Sequence, residues 1–292
     1  MTCYTAEPSA VGKDVGVPSV QTVEERSQIG VWVFVTQRKE IYMSSAITVD
    51  GGQDSMTLTE QATDYIAERG LDVETAINLG VYTSSQHGTE VIALPYLRDG
   101  KTVNHKYKNY LGASNFPSWS QDKGGEKVVW NRDVLLDDSI QHLPVIITEG
   151  EWDCIAAVQC GFVRSISVPD GAPSKSIEPE RDSVSQKYSY IRDIVELLED
   201  CKEIILCTDG DTNGQVLRDD LAIRLGKTRC KFVSYPKNCK DLNDALKLYG
   251  EKGVTETIAR AKWFPVDGVY RFDELPEINE RPVYNLGMGS LD

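Results

Sequence analysis

Carboxylates recur at the ends of four apolar runs in this chain. Pro144-Val-Ile-Ile-Thr148 leads into Glu149, Gly150 and Glu151, with Asp153 just beyond. Ser165-Ile-Ser-Val168 leads into Pro169-Asp170-Gly171. Glu203-Ile-Ile-Leu-Cys-Thr208 leads into Asp209-Gly210-Asp211, and Lys231-Phe-Val-Ser-Tyr235 is followed by Lys240-Asp241. The short spacing of Asp209 and Asp211, read at the end of a strand, points both side chains the same way. Like charges that close repel unless a cation lies between them. No Cys or His lies beside the pair to make a soft site, and all-oxygen ligands suit Mg²⁺ or Mn²⁺. Gly210 and Gly214 allow a tight turn close to a phosphate.

The elements that must hold these acids are legible as a pattern. Between the apolar runs lie helical stretches: Glu151 to Cys160, a face of Ile191, Ile194, Val195 and Leu198, and a face of Leu217, Leu221 and Leu225. Strands alternating with helices imply a parallel sheet covered on both faces, with function at the carboxyl ends of its strands. The expected α/β domain covers residues 143–263, as a four-stranded parallel sheet with helices on both faces.

A smaller α+β subdomain is expected over 56–142. Thr57-Leu-Thr-Glu60 has a capping-box pattern, Leu58, Ala62 and Ile66 follow at helical spacing, and Gly70 supplies a stop. A short helix is expected at Val73 to Leu79, and a hairpin from Glu90–Leu97 and Lys101–Tyr110 around Asp99-Gly100. Arg98, Lys101, His105, Lys106 and Lys108 cluster on or beside that hairpin, with Tyr107, Tyr110 and Trp119 offering rings for stacking bases. His87 and His142 carry no pattern and read as surface or packing residues. Residues 1–55 read as a polar extension or a small β element, with strand-like runs at 29–35 and 41–49; residues 264–292 read as a linker.

The net charge of −14 over 292 residues weighs against a general nucleic-acid coat, so any affinity for DNA must come from a local positive track. No apolar run is long enough for a membrane span, and no secretory leader is visible. Seven cysteines without Cys-x-x-Cys argue against a disulfide framework and a zinc ribbon, and point to a reducing, cytosolic compartment.

Glu-Gly after the first strand and Asp-x-Asp-x-x-Gly after the third resemble the toprim signature of primases, topoisomerases and some nucleases. The finer resemblance is to the primase half of phage primase–helicases and Twinkle-like proteins. It is carried by Glu149-Gly-Glu-Trp-Asp153, Ser167-Val-Pro-Asp-Gly-Ala172 and Lys240-Asp-Leu-Asn-Asp-Ala245. Upstream, Ala93-Leu-Pro-Tyr96, Val103-Asn-His-Lys-Tyr-Lys108 and Gly124-Gly125 contribute to it. The resemblance implies a DNA primase that makes short RNA primers on single-stranded DNA from ribonucleoside triphosphates, with Mg²⁺ or Mn²⁺ and no zinc. It implies Asp209, Asp211 and Asp241 as metal ligands and Glu149 as general base or ligand. Arg98, Lys101, Lys106, Lys108, Lys175 and Lys240 would then hold nucleic acid or nucleotide. Asn285 to Asp292 resembles the entry to a helicase domain, expected fused or in trans, but no Gly-x-x-x-x-Gly-Lys-Ser/Thr loop occurs here. A monomer is expected for this span. The alternatives are a toprim nuclease and a non-catalytic single-stranded-DNA-binding module of a Twinkle-like helicase.

Overall fold

The computed structural model describes residues 57–179, 186–266 and 268. The strand-like runs at 29–35 and 41–49, and all but the first residues of the 264–292 linker, lie outside the described residues. Helix α1 (Glu60–Glu68) starts at a different threonine from the one its pattern suggests. Thr59 is the N-cap, its hydroxyl accepting from the Ala62 N–H at 3.3 Å. Thr57 instead accepts, through its carbonyl, from the N–H of Thr83. That pairing with the following strand delays helix entry by two residues. Ala62 and Ile66 are buried, and Gly70 ends the helix at φ +73, a conformation glycine adopts without penalty. Asp72 caps α2 (Val73–Asn78).

An antiparallel meander follows, in spatial order β1 (Tyr82–Gln86), β2 (Thr89–Arg98), β3 (Lys101–Lys108), β4 (Trp119–Gln121). The β2–β3 turn is Asp99-Gly100 with φ of +53 and +76, the paired left-handed geometry that two-residue hairpins favour. β1 has no apolar alternation (Tyr-Thr-Ser-Ser-Gln); pairing with β2 makes it a strand.

The second sheet has the order β6-β5-β7-β8-β9. Its members are β5 (Val145–Thr148), β6 (Ser165–Ser167), β7 (Ile204–Cys207), β8 (Cys230–Phe232) and β9 (Lys262–Trp263). The first four are mutually parallel, as the sequence implies, and β9 adds an antiparallel edge. Between them run α3 (Glu151–Gln159), α4 (Ser189–Val195, extended by a 3₁₀ turn to Leu198), α5 (Thr212–Leu225) and α6 (Leu242–Ala259). Of the helix face expected around Ile191, Val195 alone is exposed.

Alternation along β5 and β7 feeds two cores. Ile146, Ile205 and Cys207 face α3 and α6; Val145, Ile147, Ile204 and Leu206 face α4 and α5. The first of these cores continues into the N-terminal elements, taking in Ile66 of α1 and Ile92, Leu94 and Tyr96 of β2. α6 is interrupted at Gly250, whose φ +66, ψ −165 is open only to glycine.

Candidate metal and nucleic-acid site

Register brings the strand ends to one edge: Thr148 lies beside Ser167 and beside Cys207. Glu149, the next residue after β5, is held by two backbone amides. Its Oε1 accepts from Ala172 N–H at 3.0 Å and its Oε2 from Asp209 N–H at 3.2 Å. Asp153 sits in the first turn of α3 and accepts from the Asn243 N–H of α6 at 2.9 Å. Asp209 follows β7, and Asp241 caps α6 through the Asp244 N–H at 2.6 Å. One carboxylate oxygen each from Asp153, Asp209 and Asp241 lies within 4.8 Å of the others.

Crowding these acids perturbs them. Burial, then the Asp241 charge, pushes Asp153 well above the usual carboxylate range. Asp209 is pushed up to about 6 by its burial and by the Glu149 charge, against the pull of Lys240. Lys240 places its ammonium 3.3 Å from Asp209 Oδ2 and 3.4 Å from Asp241 Oδ2. Partial burial acts to lower Lys240, but the two carboxylates outweigh it and raise it.

Asp211 stands apart from this group. β7 ends at Cys207, so the Asp-x-Asp lies in a turn and the strand alternation no longer aligns its side chains. The Asp211 carboxylate caps α5, accepting from Gly214 N–H at 2.8 Å. Asp153, in the first turn of α3, lies in this group where Asp211 does not. The glycine of Asp-x-Asp-x-x-Gly has a steric reason. A Cβ on Gly214 would lie 2.1 Å from the Asp209 carbonyl oxygen and 2.8 Å from its nitrogen. Backbone on both sides cannot yield without moving Asp209. Gly214→Ala is therefore expected to lose about 3 kcal/mol, read as a lower denaturation midpoint, with Asn213→Ala at the exposed neighbour as the control.

The basic residues divide into bound and open ones. Lys106 is mostly enclosed: its ammonium lies 2.7 Å from Glu151, itself buried and accepting from the Tyr96 hydroxyl at 2.5 Å. Lys108 donates to Ser118 Oγ at 2.9 Å, and both lysines lie about 5 Å over the Trp119 ring. Arg98 pairs with Glu126 and Asp193. Arg132 bridges Asp99, Asp133 and Asp193, so the hairpin tip is tied to α4. Lys101 and Lys175 are exposed. Tyr107 is buried and donates to Asp122, which removes it as a stacking surface. Tyr110 packs on Tyr65, and Trp119 packs on Trp152.

Arg69 was not singled out by the sequence. Its guanidinium lies 5.4 Å over Trp152 and 5.8 Å over Tyr65, and its charge acts on both Lys108 and Asp153. Positioned at the end of α1, it joins the hairpin's cations to the acid group. Lys127, paired with Asp170 at 2.7 Å, and Lys187, donating to the Gly171 carbonyl, were likewise missed.

Residues 146–246 match the family described as Toprim-like. The parallel sheet with its strand-end acids is a toprim fold. The chain is 32% identical over 235 residues to the Twinkle homolog protein, chloroplastic/mitochondrial, of Arabidopsis thaliana, covering 78% of this chain and 32% of that protein. It is 32% identical over 216 residues to the Primase homolog protein of the same plant, covering 72% of this chain and 61% of that one. It thus spans about a third and three fifths of these relatives. The primase fragment of the bacteriophage T7 primase-helicase superposes with a TM-score of 0.50 at 17% identity, over 72% of this chain and 81% of that one. The RNA polymerase domain of Mycobacterium tuberculosis primase does so at 0.52 and 12%, over 80% and 84%. At these identities the two structures establish the fold. Together with the plant relatives, the likeness of this toprim chain is to primases of the phage primase–helicase and Twinkle-like type.

Proposed function

We propose that this chain is the primase half of a primase–helicase, joining ribonucleotides into short RNA on single-stranded DNA by metal-dependent nucleotidyl transfer. The observation that carries this reading is the meeting of Asp153, Asp209 and Asp241 within 4.8 Å at the strand ends, beside Glu149. The donor set is all oxygen and its acids repel one another, so it fits Mg²⁺ or Mn²⁺ rather than a softer ion. Asp209 and Asp241 would hold the ion with Asp153. Asp211, outside this group, exposed and with one oxygen on the α5 cap, would join only from the rim. A divalent ion held by these carboxylates would supply charge neutralisation for the phosphoryl group in transfer.

The remaining work falls to the chain. In this reading Glu149, its oxygens held by two backbone amides, takes the proton of the attacking 3′ hydroxyl. The exposed Lys101 and Lys175, with Lys108 and Arg69 on the aromatic cluster, supply the positive track for template and triphosphate, as the net charge of −14 requires a local one. The partners of this reading are single-stranded DNA, ribonucleoside triphosphates and a replicative helicase domain. Among the described residues, no helix is long and apolar enough to cross a membrane.

One incubation separates this reading from its rivals. Single-stranded DNA, labelled ribonucleotides and Mg²⁺ or Mn²⁺ are expected to yield short RNA. Shortened DNA in place of RNA would make the protein a nuclease. Neither product, with DNA still bound, would make it a non-catalytic module.

A further inference from the structure

The metal group just described holds a positive charge of its own. Among the described residues, the ion pairs made by Asp209 and Asp241 are both with Lys240, and Asp153 makes none. Lys240 differs from the cations buried against acids elsewhere among the described residues, such as Arg132 and Lys106. Lys106 is only 14% exposed and wedged between Glu151, the Pro169 carbonyl and the Trp119 ring. The Lys240 side chain is 62% exposed.

Its backbone, by contrast, is pinned. The Lys240 carbonyl accepts from the Gly210 N–H at 2.7 Å, and the Lys240 N–H donates to Asp244 Oδ2 at 3.2 Å. The ammonium can therefore leave the acids by rotation of side-chain bonds alone, with no loop moving. Lysine's long stem and compact charge suit such a swing.

We propose that Lys240 is a built-in counter-ion, holding the acid cleft together without metal and displaced from it when a divalent cation binds. The inference rests on the metal assignment above. The same carboxylates serve both cations, and two positive charges in so small a space repel. Metal binding thus carries the cost of breaking two ion pairs, and Lys240 sets how tightly the site binds its ion.

The test is a calorimetric titration of Mn²⁺ into the protein without nucleotide or DNA, comparing the natural chain with Lys240→Met, Lys240→Arg and Asp209→Asn. Lys240→Met is expected to bind Mn²⁺ about fivefold more tightly, the scale of a partly exposed ion pair. Lys240→Arg is expected to stay near the natural chain. In chelator, the melting temperature of Lys240→Met is expected to fall, and to recover more on adding Mn²⁺ than that of the natural chain. Equal or weaker binding by Lys240→Met, with binding lost in Asp209→Asn, overturns this proposal and leaves the metal assignment standing. No Mn²⁺ binding by any of the four overturns both.

Discussion

Asp209→Asn is expected to abolish nucleotidyl transfer and yet to melt at a higher temperature than the natural chain at neutral pH in chelator. The first effect follows from losing a metal ligand: several kcal/mol of transition-state stabilisation is at least about a hundredfold in rate. The second follows from the raised pKa of Asp209. Asp209 titrates at about 6 in the folded protein against an ordinary 3.8. Between those values the folded chain holds a proton that the unfolded chain has released, so stability falls as pH rises through that window. Above it the full cost is present, about 1–2 kcal/mol once the solvent reaching this carboxylate is allowed for. Asparagine carries no such cost. The gap in melting temperature between variant and natural chain should thus be small at pH 4 and open by pH 7. A gap that does not change with pH would show that crowding of the acids is not what destabilises the site.

The second large effect is expected at Lys106, and it concerns stability rather than DNA. The Glu151 side chain is 2% exposed and depends on the Lys106 ammonium and the Tyr96 hydroxyl. Lys106→Met leaves a buried carboxylate without its cation, a change worth about 3 kcal/mol or more. Adding Glu151→Gln should restore most of that loss, because a neutral amide needs no counter-charge. Urea midpoints of the two single variants and the double close the cycle. Additive losses would deny that the two residues act as a pair. Charge reversal at Lys106 is consequently a poor probe of nucleic-acid binding; Lys101, exposed on the same hairpin, is a cleaner one.

The parallel strands were legible because three of them, β5, β6 and β7, lead into an acid beside a glycine or proline. Hairpin and helix stops were legible at Asp99-Gly100 and Gly70. α6 was not, since Gly250 and Gly253 interrupt its helical pattern; a single glycine-only conformation lets the helix resume beyond Gly250. At the site, Asp209, Asp241 and Glu149 come to one edge as strand order requires. Asp153 was obscured because an acid in a first helical turn has a sufficient local reason to be there. Its approach to Asp209 and Asp241 is set by the packing of α3 on α6. Lys106 and Arg98 read as free cations because spacing reports which face a side chain takes, and the acid opposite each belongs to a distant part of the chain.

The core shared by the two sheets has a consequence for the order in which the chain can become folded. Arg69, at the end of the first described helix, accepts through its carbonyl from the Asn243 side chain, 174 residues later. Ile66 and Leu94 share a cluster with Leu246, Val254 and Ile258. During synthesis, the N-terminal helices and meander emerge long before the helix that completes their apolar cover. Closure over such separations is slow, and the waiting surface is sticky. Synthesis that stops before α6 would leave α3 and the first helix without the apolar face that Leu246, Val254 and Ile258 supply, although every residue of the N-terminal sheet is present.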